Sequence, residues 1–313
     1  MTLPSSGQTN RSTPSHWTYV ALALGILCVS FAAIFIKLAN TTADLVGAWR
    51  MIIGAVVLGV PMLIHWRRGK VRLPRSAIWL VVLGGLAFSL DASVWATSVN
   101  MTSAAKATLL GNTAPIWVAL GAWLIFKERL HATYWIGLAV SIAGIVLLIG
   151  VESFQGAAVN PGDLLAMLAG FTYALIQFVT GRARQKIDSL TYTWGFTVVS
   201  AVLFLGGSSV LGHSMLDLPV RSILALVGLA LVSHVIGWLL ISYAFGHIPI
   251  HYLSVTLLGQ PVVTALLAMP ILGEYPTSWQ IAGGVVTLGG IYLVHRGSQS
   301  AEKTRTSNGE DGQ

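Results

Sequence analysis

The chain has 313 residues, of which 55% are hydrophobic and only 9% are charged, and its formal net charge is +7. Because soluble domains carry roughly 25% charged residues, this composition excludes a soluble globular protein and predicts an integral membrane protein. The one cysteine, Cys28, excludes an intramolecular disulfide and a thiolate metal cluster, and we expect neither a metal nor a cofactor.

Both ends of the chain are polar. Residues 1–16 are rich in Ser, Thr and Pro, which predicts a disordered tail, and residues 296–313 predict a second one. The first tail lacks a charged start that leads into a cleavable apolar run, so it does not resemble a signal peptide.

Ten apolar segments lie between the tails, each close to the roughly 20 residues that a helix needs to cross a bilayer. They lack the alternating period of barrel strands, and their short connections predict antiparallel neighbours. The predicted fold is an all-α integral membrane protein with ten transmembrane helices. The predicted spans are 17–37, 45–66, 77–98, 104–126, 133–150, 163–181, 191–211, 222–244, 252–272 and 278–294.

Basic residues are concentrated on one side of these spans. Only Lys37, Arg50, Lys106 and Arg221, out of 18 basic residues, lie outside the loops and tails of the side that carries both termini. Since cytoplasmic loops are enriched in Lys and Arg, we expect both termini in the cytoplasm and the protein in the cell inner membrane. Topology accounts for the positive charge, and we expect no nucleic-acid partner.

The two halves of the chain repeat each other. Residues of the fourth and fifth spans recur 146 positions later, in the ninth and tenth. Each half, 17–150 and 163–295, has five spans, so the second half is predicted to enter the membrane inverted after a periplasmic linker at 151–162. Inverted repeats are typical of transporters that work by alternating access. The recurring pairs are Pro115 and Pro261, Glu128 and Glu274, Gly137 and Gly283, and Gly144 and Gly290.

This pattern resembles the EamA-type transporters of the drug/metabolite transporter superfamily. The resemblance rests on the paired prolines, on the Glu in FKERL and LGEYP, and on the Gly-rich fifth and tenth spans. It implies a secondary transporter that moves a small organic molecule across the lipid bilayer, with amino acids or related metabolites as exported substrates. One residue departs from the family: Gln260 stands where members often have Glu, a position tied to proton coupling.

The prolines are the first candidate site residues. Pro115 and Pro261 remove a backbone donor in mid-span, which predicts a helix break at membrane depth. Asn112 and Gln260 stand near these prolines on small, polar helix faces. Such faces either line a cavity or accompany a packing kink, and the sequence leaves both readings open.

Ionisable residues inside the spans are the second group. Asp91 is the only acidic residue well inside the membrane, and Arg50 is the only comparably deep base. Asp91 is interpreted either as a site for a substrate amine or a proton, or as a structural ion-pair partner of Arg50 or Lys106. His234 is either a proton carrier or a neutral, hydrogen-bonded core residue.

Aromatic residues accompany these polar groups. Trp95 follows Asp91 by four residues, Trp238 follows His234 by four, and Tyr173 shares a polar stripe with Gln177. Aromatic surfaces with sparse polar groups suit an amphipathic organic substrate. These eight positions form the predicted substrate site: Asp91, Trp95, Asn112, Tyr173, Gln177, His234, Trp238 and Gln260.

Other functions have weaker support. The sequence contains no G-x-S-x-G, H-E-x-x-H or Walker-type motif and no second intramembrane Asp, which disfavours a membrane-embedded enzyme and an ATP-driven pump. A drug or nucleotide-type metabolite exchanger of the same superfamily stays an alternative, as does proton coupling. The Gly-rich faces of the fifth and tenth spans predict close packing, within a monomer or across a homodimer.

Overall fold

We describe the chain from a computed structural model. Residues 1–14, most of the predicted N-terminal tail, and 151–159, most of the predicted linker, lie outside the described residues. The structure describes residues 15–71, 73–102, 104–125, 127–128, 130–150, 160–215 and 217–310.

The first half is helical throughout its described spans. Most of its helices begin just after an extended residue and end where the sequence turns polar, as at Asn40, which has a left-handed backbone. The helices are α1 (His16–Ala39), α2 (Ala43–Arg67), α3 (Arg75–Met101), α4 (Ala104–Gly111), α5 (Ala114–Leu124) and α6 (Ala132–Ile149).

The second half repeats this order. Asn160 and Asp163 form a capping box at the start of α7, and Asp188 caps α8 through the Thr191 amide. The elements are α7 (Pro161–Arg184), α8 (Ser189–Leu211), α9 (Val220–Gly228), a π-helical segment (Leu229–Trp238), α10 (Leu239–Phe245), α11 (Ile250–Thr256), α12 (Gly259–Leu272) and α13 (Ser278–Glu310).

This architecture confirms the predicted all-α membrane fold. Within the described ranges, nine helical segments are long and apolar enough to cross a bilayer, and α13 begins at the predicted tenth span. One expectation differs, because α13 continues to Glu310 through the segment predicted as a disordered tail. That segment contains helix-favouring Ala, Glu and Lys and no proline, which allows the backbone to continue as a helix.

The fourth and ninth spans are each divided into two half-helices at equivalent places. Asn112 and Thr113 separate α4 from α5, and Leu257 and Leu258 separate α11 from α12. Each proline lies in the first turn after the break, where its missing N–H leaves no helical hydrogen bond unmade. The side chains of Asn112 and Thr113 donate to the carbonyls of Thr108 and Leu110, at 2.8 and 2.5 Å.

A seam between α6 and α13 relates the two halves. Gly144 of α6 faces Gly283 of α13, and Gly290 of α13 faces Gly137 of α6, so the helices run antiparallel. Each contact therefore occurs twice, the second time with the roles of α6 and α13 exchanged. This is the pattern expected around a two-fold axis. On that axis, Ser141 Oγ donates to the Thr287 carbonyl at 3.4 Å, across a separation of 146 residues. This geometry shows that the repeats are inverted.

A second pair of helices, α2 and α8, holds the opposite side of the molecule. Trp49 and Trp194 are repeat equivalents at an offset of 145 residues, one fewer than in the fourth and fifth spans, and each indole donates to a backbone carbonyl of the other half. Trp194 Nε1 lies 3.1 Å from the Ala55 carbonyl, and Trp49 Nε1 lies 3.2 Å from the Met215 carbonyl. The seam and this pair leave a space between the halves, which contains the candidate site.

Candidate functional site: the central cavity

A cavity of about 820 Å³ lies between the two halves. It is bordered by α1, α2, α3, α4, α6, α7, the π-helical segment and α12, and it reaches the loop after α12 and the start of α13. There Glu274 and Tyr275 line its mouth, and Tyr275 is 81% exposed. We call this side of the bundle the Glu274 end.

The opposite side, the Glu128 end, is packed shut. Tyr134 at the start of α6 is 2% exposed, and its hydroxyl donates to the His251 carbonyl at 3.3 Å. His251 Nδ1 lies 2.9 Å from Glu128 Oε2, and the Tyr252 ring packs edge-on against Tyr134. Aromatic rings and this polar contact therefore fill the end of the bundle opposite the mouth.

One ion pair stands at the mouth. Lys37, at the end of α1, pairs with Glu274, and the two side chains are 61% and 51% exposed. Glu274 is the repeat equivalent of Glu128, so the same position contacts the largely buried His251 at the closed end and borders the opening at the other.

Asp91 lies on the cavity wall, but it does not form the ion pair with Arg50 that was one of its two interpretations. Its Oδ1 accepts a hydrogen bond from Thr172 Oγ1 at 2.9 Å. Among the ion pairs of the described residues, none joins Asp91 to a base. The reason is packing: α3 lies against α7, which presents Thr172 to the carboxylate. The side chain of Lys106, the other candidate partner, lies outside the described residues.

Arg50 borders the same cavity from α2. Its guanidinium carbon lies 5.3 Å from the centre of the Phe88 ring, a cation–π contact. Its Nε atom is buried without a hydrogen-bond partner. Arg50 thus brings a positive charge to the cavity with an aromatic ring against it, and none of the ion pairs of the described residues includes Arg50.

Most of the other predicted site residues also line the cavity. Trp95 borders it from α3, Asn112 from the break after α4, and Tyr173 from α7. Trp238 and Gln260 complete this group from the second half. Gln260 lies beside Pro261, which also lines the wall, whereas Pro115 is buried.

Two predicted site residues do not reach the cavity. His234 is fully buried in the π-helical segment, with its Nε2 atom 2.8 Å from Thr197 Oγ1. The ring of Phe88, which lines the cavity, packs edge-on against His234 with ring centres 6.0 Å apart. Gln177 is only 1% exposed, and its amide atoms face the interior of the bundle. Burial behind aromatic and helical neighbours separates both from a ligand in the cavity.

One cavity residue, Phe88, and one hydrogen-bond partner of Asp91, Thr172, were missed from the sequence. Phe88 precedes Asp91 by three residues, so helical spacing places both on one face and signals a shared wall. Thr172 carries no comparable signal, since a single Thr in an apolar span is ordinary and only the packing of α7 on α3 brings it to Asp91.

Comparison with known proteins gives a consistent result. The model of the EamA-like transporter family matches residues 16–150 and again residues 160–296. The uncharacterized transporter YdfC of Bacillus subtilis is 28% identical over 88% of this chain and 89% of its own length. A probable amino-acid metabolite efflux pump of Escherichia coli is 28% identical over 63% of this chain and 69% of the pump. A solved crystal structure has a similar fold, with a TM-score of 0.74 at 19% identity, over 91% of this chain and 99% of that chain.

Proposed function

Because the chain belongs to the EamA-like transporter family, we propose that it is a secondary transporter that works by alternating access through the central cavity. The observation that carries this proposal is the combination of a two-fold related scaffold with a cavity open at one end only. In an inverted repeat, each half can adopt the conformation that its equivalent has in the present state. That exchange closes the Glu274 end and opens the Glu128 end.

The sidedness of this cycle follows from the distribution of charge. The loops at the Glu128 end lie on the side that carries most Lys and Arg residues, so we assign this end to the cytoplasm. The Glu274 end then faces the periplasm, and the present conformation is outward-open. Both termini are cytoplasmic in this assignment. A reporter fused after Arg75 tests it, and periplasmic reporter activity there would reverse it.

The proposed substrates are amino acids or related metabolites, moved out of the cell. Two relatives named as probable amino-acid metabolite efflux pumps, from Escherichia coli and Salmonella typhimurium, support this substrate class. The cavity volume and its mixed aromatic and polar wall are suited to a molecule of that size. Asp91 is the proposed site of any proton coupling, because Gln260 replaces the acidic residue expected beside the second proline.

Alternating access is tested by thiol labelling from each side of the membrane. Replacing Cys28, the only cysteine, with Ser gives a background for Ala265→Cys in the cavity wall. In right-side-out and inverted vesicles, a membrane-impermeant reagent should reach this position from both sides, with substrate changing the balance. Leu266→Cys, on the exposed outer surface of the same helix, is the matched control. Labelling from one side alone, whatever the substrate, contradicts the proposal.

Transport itself is tested in proteoliposomes. Purified protein should move radiolabelled amino acids down their gradient, and an imposed proton gradient should increase the flux if Asp91 couples it. Flux that depends on a counter-substrate and ignores pH would instead favour an exchanger. The absence of flux for the amino-acid series, with the protein inserted and folded, would contradict the proposed substrate class.

A further inference from the structure

The cavity wall carries two opposite charges that do not neutralise each other. Arg50 stacks on Phe88 and has a buried Nε atom without a partner, while Asp91 is bonded to the neutral hydroxyl of Thr172. Both residues line one cavity and are partly exposed to it, so a ligand in the cavity can contact both charges.

Phe88 connects the two charged side chains on the cavity wall. Phe88, one turn before Asp91 on α3, carries the guanidinium of Arg50 on its ring face. Tyr173 lines the same cavity from α7, together with Asp91 and Arg50. A single small molecule can therefore contact both charged groups, provided that it carries an anionic and a cationic group of its own.

The remaining wall near these charges is aromatic. The Trp238 ring packs edge-on against Phe88 with centres 5.5 Å apart, and Trp95 follows Asp91 by one helical turn. Phe88, Trp95 and Trp238 offer an apolar surface that amino acids with short side chains cannot cover. Burial of a large apolar group against such rings favours binding.

We infer that the cavity selects zwitterionic amino acids with a large apolar or aromatic side chain, binding the carboxylate at Arg50 and the ammonium group at Asp91. The inference rests on the proposed function, which supplies the route by which a substrate enters and leaves. It adds a charge requirement and a size preference that the transport proposal does not contain.

The test is a ligand series on the purified wild-type protein, with affinity measured by calorimetry. L-phenylalanine is compared with phenethylamine, which lacks the carboxylate, with 3-phenylpropionate, which lacks the amine, and with L-alanine, which lacks the ring. We expect each of the three to bind at least about 10-fold more weakly than phenylalanine, since each leaves one contact unmade. Equal affinity for phenylalanine and either singly charged analogue overturns the inference.

Variants assign each charge to its residue. Arg50→Gln removes the proposed partner of the carboxylate, so phenylalanine and phenethylamine should bind this variant equally. Asp91→Asn removes the proposed partner of the ammonium group, so phenylalanine and 3-phenylpropionate should bind that variant equally. Lys37→Gln, which removes a charge at the mouth instead, should keep the wild-type preference. If Arg50→Gln does not fold, Arg50→Lys preserves the charge and should preserve the preference, and the wild-type series still decides. Discrimination that survives in both Arg50→Gln and Asp91→Asn contradicts the assignment.

Failure of this inference can be told apart from failure of the transport proposal. Phenylalanine that binds with the expected discrimination but is not moved across a proteoliposome membrane contradicts transport and leaves the recognition intact. A substrate with only one charge that binds as tightly as phenylalanine and is transported contradicts the recognition and leaves transport intact.

Discussion

The α6–α13 seam and the central cavity differ in how far they follow the two-fold relation between the halves. At the seam, every close contact has a counterpart, and the Ser141–Thr287 hydrogen bond lies on the axis itself. In the cavity, the first half supplies Arg50 and Asp91, whereas the equivalent of Arg50 is Gly195 and the eighth span contains no acidic residue. Symmetry is kept at the seam between the halves, and it is lost in the wall of the cavity, where we propose that a ligand binds.

The largest expected effect follows from overpacking the seam. An added Cβ at Gly290 would overlap the backbone nitrogen of Ser141, and one at Gly144 would overlap that of Thr287. Overpacking costs about 1–3 kcal/mol in an ordinary core and more against backbone. We therefore expect Gly290→Leu and Gly144→Leu to reduce the yield of folded protein to a similar extent, measured by size-exclusion chromatography in detergent.

A matched control stands one residue away. Nothing lies within 4 Å of a Cβ built at Gly289, so Gly289→Leu should leave yield and melting temperature close to wild type. Markedly unequal losses for Gly290→Leu and Gly144→Leu would break the two-fold description of the seam.

The next effect concerns the asymmetric cavity. Asp91→Asn keeps an oxygen that can accept from Thr172 but removes the charge, so we expect folded protein with flux lowered about 10-fold or more, on the scale of a charged hydrogen bond. Asp188→Asn, which can still cap α8, is the control and should transport normally. If Asp91→Asn transports at the wild-type rate, the charge of Asp91 has no role in transport.

A smaller effect is expected behind the cavity wall. Thr197→Val removes the hydrogen bond to His234, which leaves a buried ring nitrogen unpaired and costs about 1–3 kcal/mol. We expect a lower melting temperature with ligand preference unchanged, since His234 does not line the cavity. A change in ligand preference without loss of stability would place His234 in the binding site after all.

The smallest effect is expected at the mouth. The Lys37–Glu274 pair is more than half exposed, and exposed pairs contribute about 0–1 kcal/mol. Glu274→Gln should therefore shift the melting temperature very little. In contrast, Glu128→Gln loosens the closed end, where the carboxylate meets a largely buried His251. Equal thermal shifts for the two variants would indicate that the ends do not differ as the structure suggests.

How much of the site was predictable depended on the kind of residue. Asp91, Arg50 and the two prolines stand out in the sequence because a charge or a break inside a membrane span is costly and therefore conspicuous. His234 and Gln177 stand out for the same reason, yet they face the protein interior. Polarity shows that a residue needs a partner, and it does not show whether that partner is a ligand or a neighbouring helix.

The sequence by itself determined the all-helical membrane fold and the offset of the repeat. The inversion of the second half followed from the odd number of spans in each half. Hydropathy and spacing are local along the chain, so they can be counted without knowing any contact between distant residues. Only the tertiary structure decided which helix faces meet. It placed Thr172 rather than Arg50 against Asp91, set His234 behind Phe88, and left one end of the cavity open. The rotation of each helix about its own axis depends on packing between segments far apart in the chain, and local spacing does not specify that packing.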